Sequence, residues 1–243
     1  MEVHAHAHTP RKKWTHYFWE FLMLFLAVFC GFLAEYQLEH KIERDRSKQY
    51  IRSFYDDLNV NLSSISRTFS ENEKKIITLN TLFFCYDTVS ENITNCRCLA
   101  HILKQSTFFL PPAFADGTLG QLKNAGGFRL LNKEDRDSII SYDNYIHNYK
   151  DWEPSVLQLS QNNLRSALDE LGYFAATPFL YTDSINTNTV PLLLFTDKGS
   201  VNKIFNVIGR YSRAISRQNK WMIDIKEKTN GLIKYFESKY HFQ

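Results

Sequence analysis

The hydrophobic pattern begins with one long apolar stretch. Residues 14–34, WTHYFWEFLMLFLAVFCGFLA, are 21 residues in which Glu20 is the single Asp, Glu, Lys or Arg. As a helix, they would measure about 30 Å, the thickness of the hydrocarbon core of a bilayer. Aromatic residues typical of a membrane interface lie at both ends: Trp14, Tyr17, Trp19 and Tyr36. We therefore predict a transmembrane helix over residues 14–36; a buried core helix is the alternative.

The pattern then changes to that of an exposed helix followed by a packed one. Residues 37–50 carry charges on nearly every turn, which predicts a solvated helical stalk. From Leu58 onward, residues of one seam recur every three or four positions, as in helical bundles and coiled coils. This seam consists of Leu58, Leu62, Ile65, Phe69, Asn72, Ile76, Leu79, Phe83 and Tyr86. Its polar member Asn72 is of a kind that can set the register between helices.

Two more long helices are predicted. Asn132 should cap a helix that reaches residue 171, and Pro154 should kink or interrupt it. Ser200 should cap the last helix, whose seam recurs without a fault: Val201, Ile204, Ile208, Tyr211, Ile215, Gln218, Met222, Ile225, Thr229, Leu232 and Phe236. Between them, residues 173–199 form a long connection, either a short hairpin or a loop over the end of the bundle.

These elements together predict an all-α protein. Segments 51–88, 95–131, 133–171 and 200–240 have similar lengths, which favours an up-down four-helix bundle over residues 51–243. Its second helix is broken at Pro111-Pro112 and Gly126-Gly127. We expect the seam of the last helix to be buried against the first helix. The residues expected to meet there are Ile204, Ile208, Ile215, Met222, Ile225 and Leu232 on one side, and Leu62, Ile65, Phe69, Ile76 or Leu79 on the other.

Charge bears on orientation and on partners. The formal net charge is +3, with Lys and Arg mixed among acids, which argues against nucleic acid as a partner. Arg11, Lys12 and Lys13 favour a cytoplasmic tail over residues 1–13, although five basic residues after the apolar stretch argue the other way. No cleavage site of a signal peptide follows the stretch, so we expect it to be kept as an anchor. The prediction is a single-pass protein of a bacterial inner membrane with a periplasmic bundle.

Two groups of residues carry a resemblance to a family. The first is FLMLFLAVFCGFLAEYQLEHKIERDRSKQYI with Leu58 after it. The second is Thr118-Leu119, Leu122-Lys123, Gly126, Leu130-Leu131-Asn132, Arg136, Ile140 and Tyr142. Over the apolar stretch and residues 36–150, the chain resembles a group of uncharacterised, N-terminally anchored, single-pass bacterial membrane proteins. The resemblance implies the topology just described and assigns no activity and no functional residues.

One cluster has spacing suited to metal ligands. Cys96-x-Cys98-x-x-His101, with Cys85 across a turn, could form a zinc site with three Cys and one His. The alternatives are free thiols or a disulfide from Cys85 to Cys96 or Cys98, and an oxidising periplasm favours the disulfide. We therefore predict no metal and no cofactor, and one bond that closes the turn between the first two helices.

A second candidate lies in the apolar stretch. On a helical wheel, Glu20 shares a face with Leu24, Ala27, Gly31 and Ala34, and the small residues would let another helix approach closely. A carboxylate on such a face could carry protons, as in ion-driven stator subunits. The simpler interpretation is that Glu20 lies near the lipid headgroups.

The sequence lacks the short motifs of common enzymes, so no catalytic residues are predicted. The aromatic stripe Tyr142, Tyr145, Tyr149 and Trp152 is interpreted as core. We expect a structural or interaction protein whose partners are the lipid bilayer and either other proteins or further copies of itself. The alternatives are a bundle that senses a ligand and relays through a partner, or an ion-coupled subunit that uses Glu20.

Overall fold

The structure is a computed structural model and describes residues 14–91, 97–107, 109–171 and 197–242. Its regular elements over these residues are all helical, which confirms the all-α prediction. The chain divides into two compact units, Met1–Gln49 and Tyr50–Gln243. The long connection predicted over residues 173–199 lies almost entirely outside the described residues.

Seven α-helices are described. They are α1 (Trp14–Leu79), α2 (Leu82–Glu91), α3 (Arg97–Thr107), α4 (Gly117–Asn124), α5 (Lys133–Trp152), α6 (Leu159–Leu171) and α7 (Lys198–Tyr240). A 3₁₀ turn, Gly127–Leu130, follows α4, and a π-helical turn, Glu153–Gln158, joins α5 to α6. The prolines and the Gly126-Gly127 pair break the second segment as predicted, and Gly126 adopts a φ of 65°, which favours glycine.

The first helix ends earlier than the sequence predicts. Instead of continuing to residue 88, α1 stops at Leu79 and α2 restarts at Leu82. The Thr81 hydroxyl donates to the carbonyl oxygen of Thr78 at 2.7 Å, and the Thr81 amide donates to the same oxygen at 3.1 Å. A threonine side chain that bonds to nearby backbone competes with the helical pattern, which accounts for the break.

The predicted caps have different outcomes. Asn132 does cap α5, since its side-chain oxygen accepts from the amide of Asp135 at 2.9 Å. The prediction for Ser200 is wrong, because α7 starts two residues earlier and Asp197 is its cap. The Asp197 carboxylate accepts from the amides of Gly199 and Ser200 at 2.9 and 3.0 Å. It also accepts from the Ser200 hydroxyl at 2.6 Å.

Pro154 interrupts its helix as predicted, and the form of the interruption is a π-helical turn. Proline has no amide hydrogen to donate to the preceding turn, so the regular α-helical ladder cannot pass through it. The wider Glu153–Gln158 turn absorbs this missing bond and lets α5 run on into α6.

The core of the second unit consists of two apolar clusters along the bundle. One joins residues of α1, α4, α5 and the later half of α7, including Ile65, Ile139 and Met222. The other joins the end of α1 to α2, α3, α6 and the earlier half of α7, including Leu79 and Ile208. The predicted seam of α7 is buried, with Leu232 partly buried and Ile233 at 8% exposure beside it.

The predicted seam that starts on α1 is correct at every second position from Leu58 to Leu79, and at the positions between them the buried residue is the one just before the predicted residue. Leu58, Ile65, Asn72 and Leu79 are buried as expected. The prediction is wrong at the positions between them. Leu62, Phe69 and Ile76 are only partly buried, and Phe83 is 81% exposed. The residues buried in their place are Asn61, Thr68, Lys75 and Leu82. Three polar side chains therefore enter the bundle where apolar neighbours were predicted.

Candidate functional site

The first unit presents an exposed apolar helix. From residue 14 to residue 42, every described residue except Leu22 is exposed. Within the described part of the chain, α1 is the one helix that is long and apolar enough to cross a membrane, and none of its most apolar window is buried. A core helix of a soluble protein would bury this window, so the exposure distinguishes α1 from that alternative.

Glu20 lies beside a histidine that the sequence analysis missed. The Nε2 of His16 is 3.1 Å from a carboxylate oxygen of Glu20, one helical turn away. The pair could have been predicted from the sequence, because side chains four positions apart in a helix lie next to each other on one face. The face formed by Glu20, Leu24, Ala27, Gly31 and Ala34 is exposed throughout, and a Cβ on Gly31 would meet nothing within 4 Å. Packing of this face against another helix stays a prediction.

The cysteine cluster is described only in part. Cys85 is 1% exposed and is disulfide-bonded. Cys96 and the side chain of Cys98 lie outside the described residues, so the pairing stays a prediction. His101 is exposed, and no group of three or more His, Cys, Asp or Glu among the described residues could hold a metal. The zinc alternative is likewise untested for the full set of four residues.

A buried polar layer separates the two apolar clusters. The amide of Asn72 donates to Gln218 Oε1 at 2.7 Å, and Gln218 Nε2 donates to the Tyr149 hydroxyl at 2.9 Å. All three side chains are at most 1% exposed, so α1, α7 and α5 are tied together inside the bundle. Burial raises the pKa of Tyr149 far above its ordinary value. Asn72, for which a register role is predicted, thus has Gln218 of α7 as its direct partner and is linked through Gln218 to Tyr149 of α5.

Pairing in this layer is incomplete. Asn72 Oδ1, Asn219 Oδ1 and Trp221 Nε1 are buried and have no hydrogen-bond partner among the described residues. Lys75, one turn beyond Asn72, is only 4% exposed, and burial lowers its pKa to about 8, against the opposing effect of Glu71. Lys75 is therefore a buried amine that can change charge near neutral pH, and the pattern of apolar residues along α1 did not predict it.

A second buried polar site lies around Asp135, where α5 begins and α7 ends. The side chain of Asp135 is fully buried. It accepts hydrogen bonds from Asn132 Nδ2 at 2.5 Å, from the Tyr235 hydroxyl at 2.7 Å, from Lys239 Nζ at 2.8 Å and from the Tyr240 hydroxyl. Burial alone would raise its pKa, but the bonds from Lys239, Tyr240 and Tyr235 outweigh burial and hold the pKa of Asp135 below its usual value.

The same site changes the titration of its donors. Burial, together with the bond to Asp135, raises the pKa of Tyr240 to about 12. Burial works against the charge on Lys239, but the bonds to Asp135 and Tyr235 raise its pKa well above the ordinary value. We call this group of Asp135, Asn132, Tyr235, Lys239 and Tyr240 the aspartate cluster. Asp135 lies in the first turn of α5, where acids are common, so its position along the chain gave no signal of its burial.

The aromatic stripe is core at two of its four positions, and its other members, Tyr145 and Trp152, are partly buried against that core. Tyr142 and Tyr149 are buried, and the Tyr142 hydroxyl lies 3.2 Å from Thr229 Oγ1. Trp221 of α7 packs against this stripe, with ring centroids 5.2 Å from Tyr145, 5.9 Å from Tyr149 and 6.1 Å from Trp152. These rings fill the bundle interior next to the polar layer.

An open groove of about 620 Å³ lies between the α1–α2 junction and the earlier half of α7. Its floor contains Leu82, Tyr86 and Phe205, and Phe83 projects beside them. Asn202 and Arg213 stand on the α7 side. The groove has both apolar and polar lining, and the sequence motifs did not point to it.

Comparison with known proteins gives no relatives: no family model, no curated protein and no solved structure matches this chain. The resemblance to anchored bacterial membrane proteins therefore stays a prediction. The geometry itself consists of an exposed apolar helix, a bundle held together by two buried polar sites, and an open groove.

Proposed function

We propose that this chain is a membrane-anchored interaction protein whose helical bundle is presented to another protein. One observation carries the proposal: the apolar part of α1 is exposed along its whole length, while the same helix continues into the buried seam of the bundle. Burial of that exposed surface in lipid would be strongly favourable, since apolar side chains gain free energy when removed from water.

The finer assignment is a bacterial inner membrane, with residues 1–13 in the cytoplasm and the bundle in the periplasm. Basic residues 11–13 before the helix support this orientation. The disulfide at Cys85 supports it as well, because such bonds persist in oxidising compartments. A catalytic role is not part of the proposal.

Membrane fractionation tests the anchor. The full chain should remain in the pellet after extraction with alkaline carbonate, and a variant without residues 14–36 should become soluble. A periplasmic reporter joined after Gln243 should be active, and replacement of Arg11, Lys12 and Lys13 by glutamate should reduce that activity. A soluble full chain would refute the anchor; activity of a cytoplasmic reporter alone would refute the orientation.

The ion-coupled alternative is supported by one contact, the His16–Glu20 pair, which places two titratable groups in the apolar helix. Both lie within the first two turns of α1, where snorkelling to the headgroups is also available. Labelling separates the two roles. In a background in which Cys30, Cys85, Cys96 and Cys98 are all Ser, Glu20→Cys should react with a membrane-impermeant maleimide if it lies at the interface, whereas Phe29→Cys should be protected. Protection of both positions would favour the ion-coupled role.

A further inference from the structure

The earlier half of α7 is strongly basic although the whole chain is nearly neutral. Between Asp197 and Asp224 there are six Lys or Arg and no acid: Lys198, Lys203, Arg210, Arg213, Arg217 and Lys220. The last four recur at spacings of three and four, which places them on one face over about 15 Å. The even mixing of charge inferred from composition therefore fails for this helix.

These four cations are not neutralised by the part of the chain that is described. Arg210, Arg213, Arg217 and Lys220 are all exposed, and none makes an ion pair with another described residue. Lys203, by contrast, pairs with Glu170 at 2.6 Å. On α1, the carboxylate of Glu73 accepts from the side-chain amide of Asn219 at 3.3 Å.

The cationic face borders the groove. Arg213 belongs to both, and no carboxylate is found among the described residues that line the groove. Phe83, at the apolar side, is 81% exposed. Leu82 and Phe205 form the floor, and Asn80, Asn202 and Asn206 supply amide groups at the edge. We refer to the groove together with Arg210, Arg213, Arg217 and Lys220 as the basic groove.

We propose that the basic groove binds an amphipathic helix of a partner protein that carries Asp or Glu along one edge. Its apolar side chains would cover Phe83 and the floor, as in other complexes in which a helix occupies a groove. Its carboxylates would face the four cations, and this charge complementarity would give specificity and faster association.

The observations favour this partner over other occupants. A second copy of the chain would bring the same cations and would be repelled. A nucleic acid or a lipid surface would engage the arginines through phosphate, but it would not account for the apolar floor. The inference rests on the proposed function for its interaction role, but it does not depend on the membrane anchor. Carbonate extraction tests the anchor and peptide binding tests the groove, so one can be refuted without the other.

The test uses the full chain in nanodiscs of zwitterionic lipid and a display library of helical peptides. Peptides selected on the wild-type chain should be enriched in Asp and Glu along one edge and in Leu or Phe along the other. A selected peptide, labelled and followed by fluorescence anisotropy, should bind more weakly as salt increases. Selection of peptides without acidic enrichment would overturn the proposal.

Matched variants locate the binding. Gly209 lines the groove, and a Cβ there would meet only Leu82 Cδ2 at 3.7 Å, an ordinary contact, so Gly209→Leu should fold and fill the groove. It should weaken binding about tenfold or more, as should the surface change Phe83→Ser. Arg213→Ser with Arg217→Ser should weaken it about three- to tenfold, because exposed ion pairs are individually weak.

The control is Lys226→Ser with Lys234→Ser, two exposed cations farther along α7, which should leave binding unchanged. Equal loss with the control pair would mean that only net charge matters and would overturn the site. Displacement of the peptide by phosphatidylglycerol vesicles would instead assign the surface to lipid, and unchanged binding by Gly209→Leu and Phe83→Ser would exclude the groove.

Discussion

The two buried polar sites of the bundle differ in how completely their atoms are paired. In the aspartate cluster, one buried carboxylate accepts four hydrogen bonds from side chains of α5 and α7. In the polar layer, Asn72 and Gln218 share one bond, while Asn72 Oδ1 and Asn219 Oδ1 have no partner among the described residues. The first arrangement is suited to holding helix ends together.

The second arrangement is suited to specifying alignment. A partly paired polar group inside an apolar core contributes little net stability, but any shift of one helix along its neighbour would leave more groups unpaired. Asn72 and Gln218 would lose their shared bond if α1 moved by one turn against α7. The comparison therefore assigns stability to the aspartate cluster and register to the polar layer, and each of these roles can be tested.

The largest effect is expected at Asp135. Asp135→Ala would leave the charge of Lys239 and two tyrosine hydroxyls without their shared acceptor, so the free energy of unfolding should fall by about 3–5 kcal/mol. Urea unfolding of the full chain in detergent, followed by circular dichroism, measures the loss. The control is Asp137→Ala, whose side chain is 55% exposed and which should change stability by less than about 0.5 kcal/mol.

The same site predicts an acid limit to stability. Because the pKa of Asp135 is lower in the folded than in the unfolded chain, its contribution is present above the unfolded pKa of about 3.9 and is lost as pH falls through the folded pKa. The difference in stability between wild type and Asp135→Ala should therefore shrink below about pH 4. A difference that stays constant down to pH 2 would show that the carboxylate charge is irrelevant.

The next effect is expected in the polar layer. Asn72→Leu or Gln218→Leu alone leaves a buried amide unpaired and should reduce the free energy of unfolding by about 1–3 kcal/mol. The double change Asn72→Leu with Gln218→Leu should restore part of that loss, because neither amide is then left behind and only the buried Tyr149 hydroxyl loses its bond. A double-mutant cycle gives the coupling between them.

If the polar layer determines the alignment of the helices, the double variant should lose that alignment. Its stability should lie between those of the single variants and the wild type, but its amide NMR spectrum should show additional or broadened signals from more than one helix alignment. A double variant with one sharp set of signals would mean that the apolar seams alone determine the alignment.

A smaller, pH-dependent effect is expected at Lys75. Its pKa is lowered from 10.5 to about 8 in the folded chain, so between these values the unfolded chain binds more protons than the folded one. Stability contributed by Lys75 therefore rises as pH increases through that window. The stability of Lys75→Met relative to the wild type should accordingly decrease between about pH 7 and about pH 10. Lys74→Met, at an exposed position, is the control.

These sites also show what the sequence could and could not provide. The seam of α7 was predictable because Ile204, Ile208, Ile215 and Met222 are apolar and all are buried. On α1 the same method chose Leu62, Phe69 and Ile76 over Asn61, Thr68 and Lys75, because it assigns burial by polarity. One of these polar residues, Asn61, is paired outside α1, because its side-chain oxygen accepts from the amide of Ala115 at 2.6 Å.

The aspartate cluster was hidden for a similar reason. Its members come from two segments about 100 residues apart, and nothing in either segment signals the other. Cap residues are more local, and Asn132 could be predicted because asparagine is a favoured residue at the start of a helix. Asp197 and Ser200 are both good cap residues, and the sequence alone favours neither. The groove could not be predicted because the sequence places Phe83 in the buried seam, whereas its side chain is 81% exposed.

The smallest effect is expected at the cap of α7, where a carboxylate is well paired but exposed. Asp197 accepts from two backbone amides and the Ser200 hydroxyl, and the bond from Ser200 lowers its pKa. Asp197 therefore resembles Asp135 in accepting several hydrogen bonds, but its carboxylate is exposed, whereas that of Asp135 is buried. Asp197→Ala should lower the Tm by about 2–4 °C, and Ser200→Ala by less, because the cap keeps both backbone bonds. Differential scanning calorimetry of the two variants measures this order. If Asp197→Ala lowered stability as much as Asp135→Ala, hydrogen bonding alone would determine the loss and burial would be irrelevant. If Ser200→Ala lowered the Tm more than Asp197→Ala, Ser200 would be the residue that caps the helix.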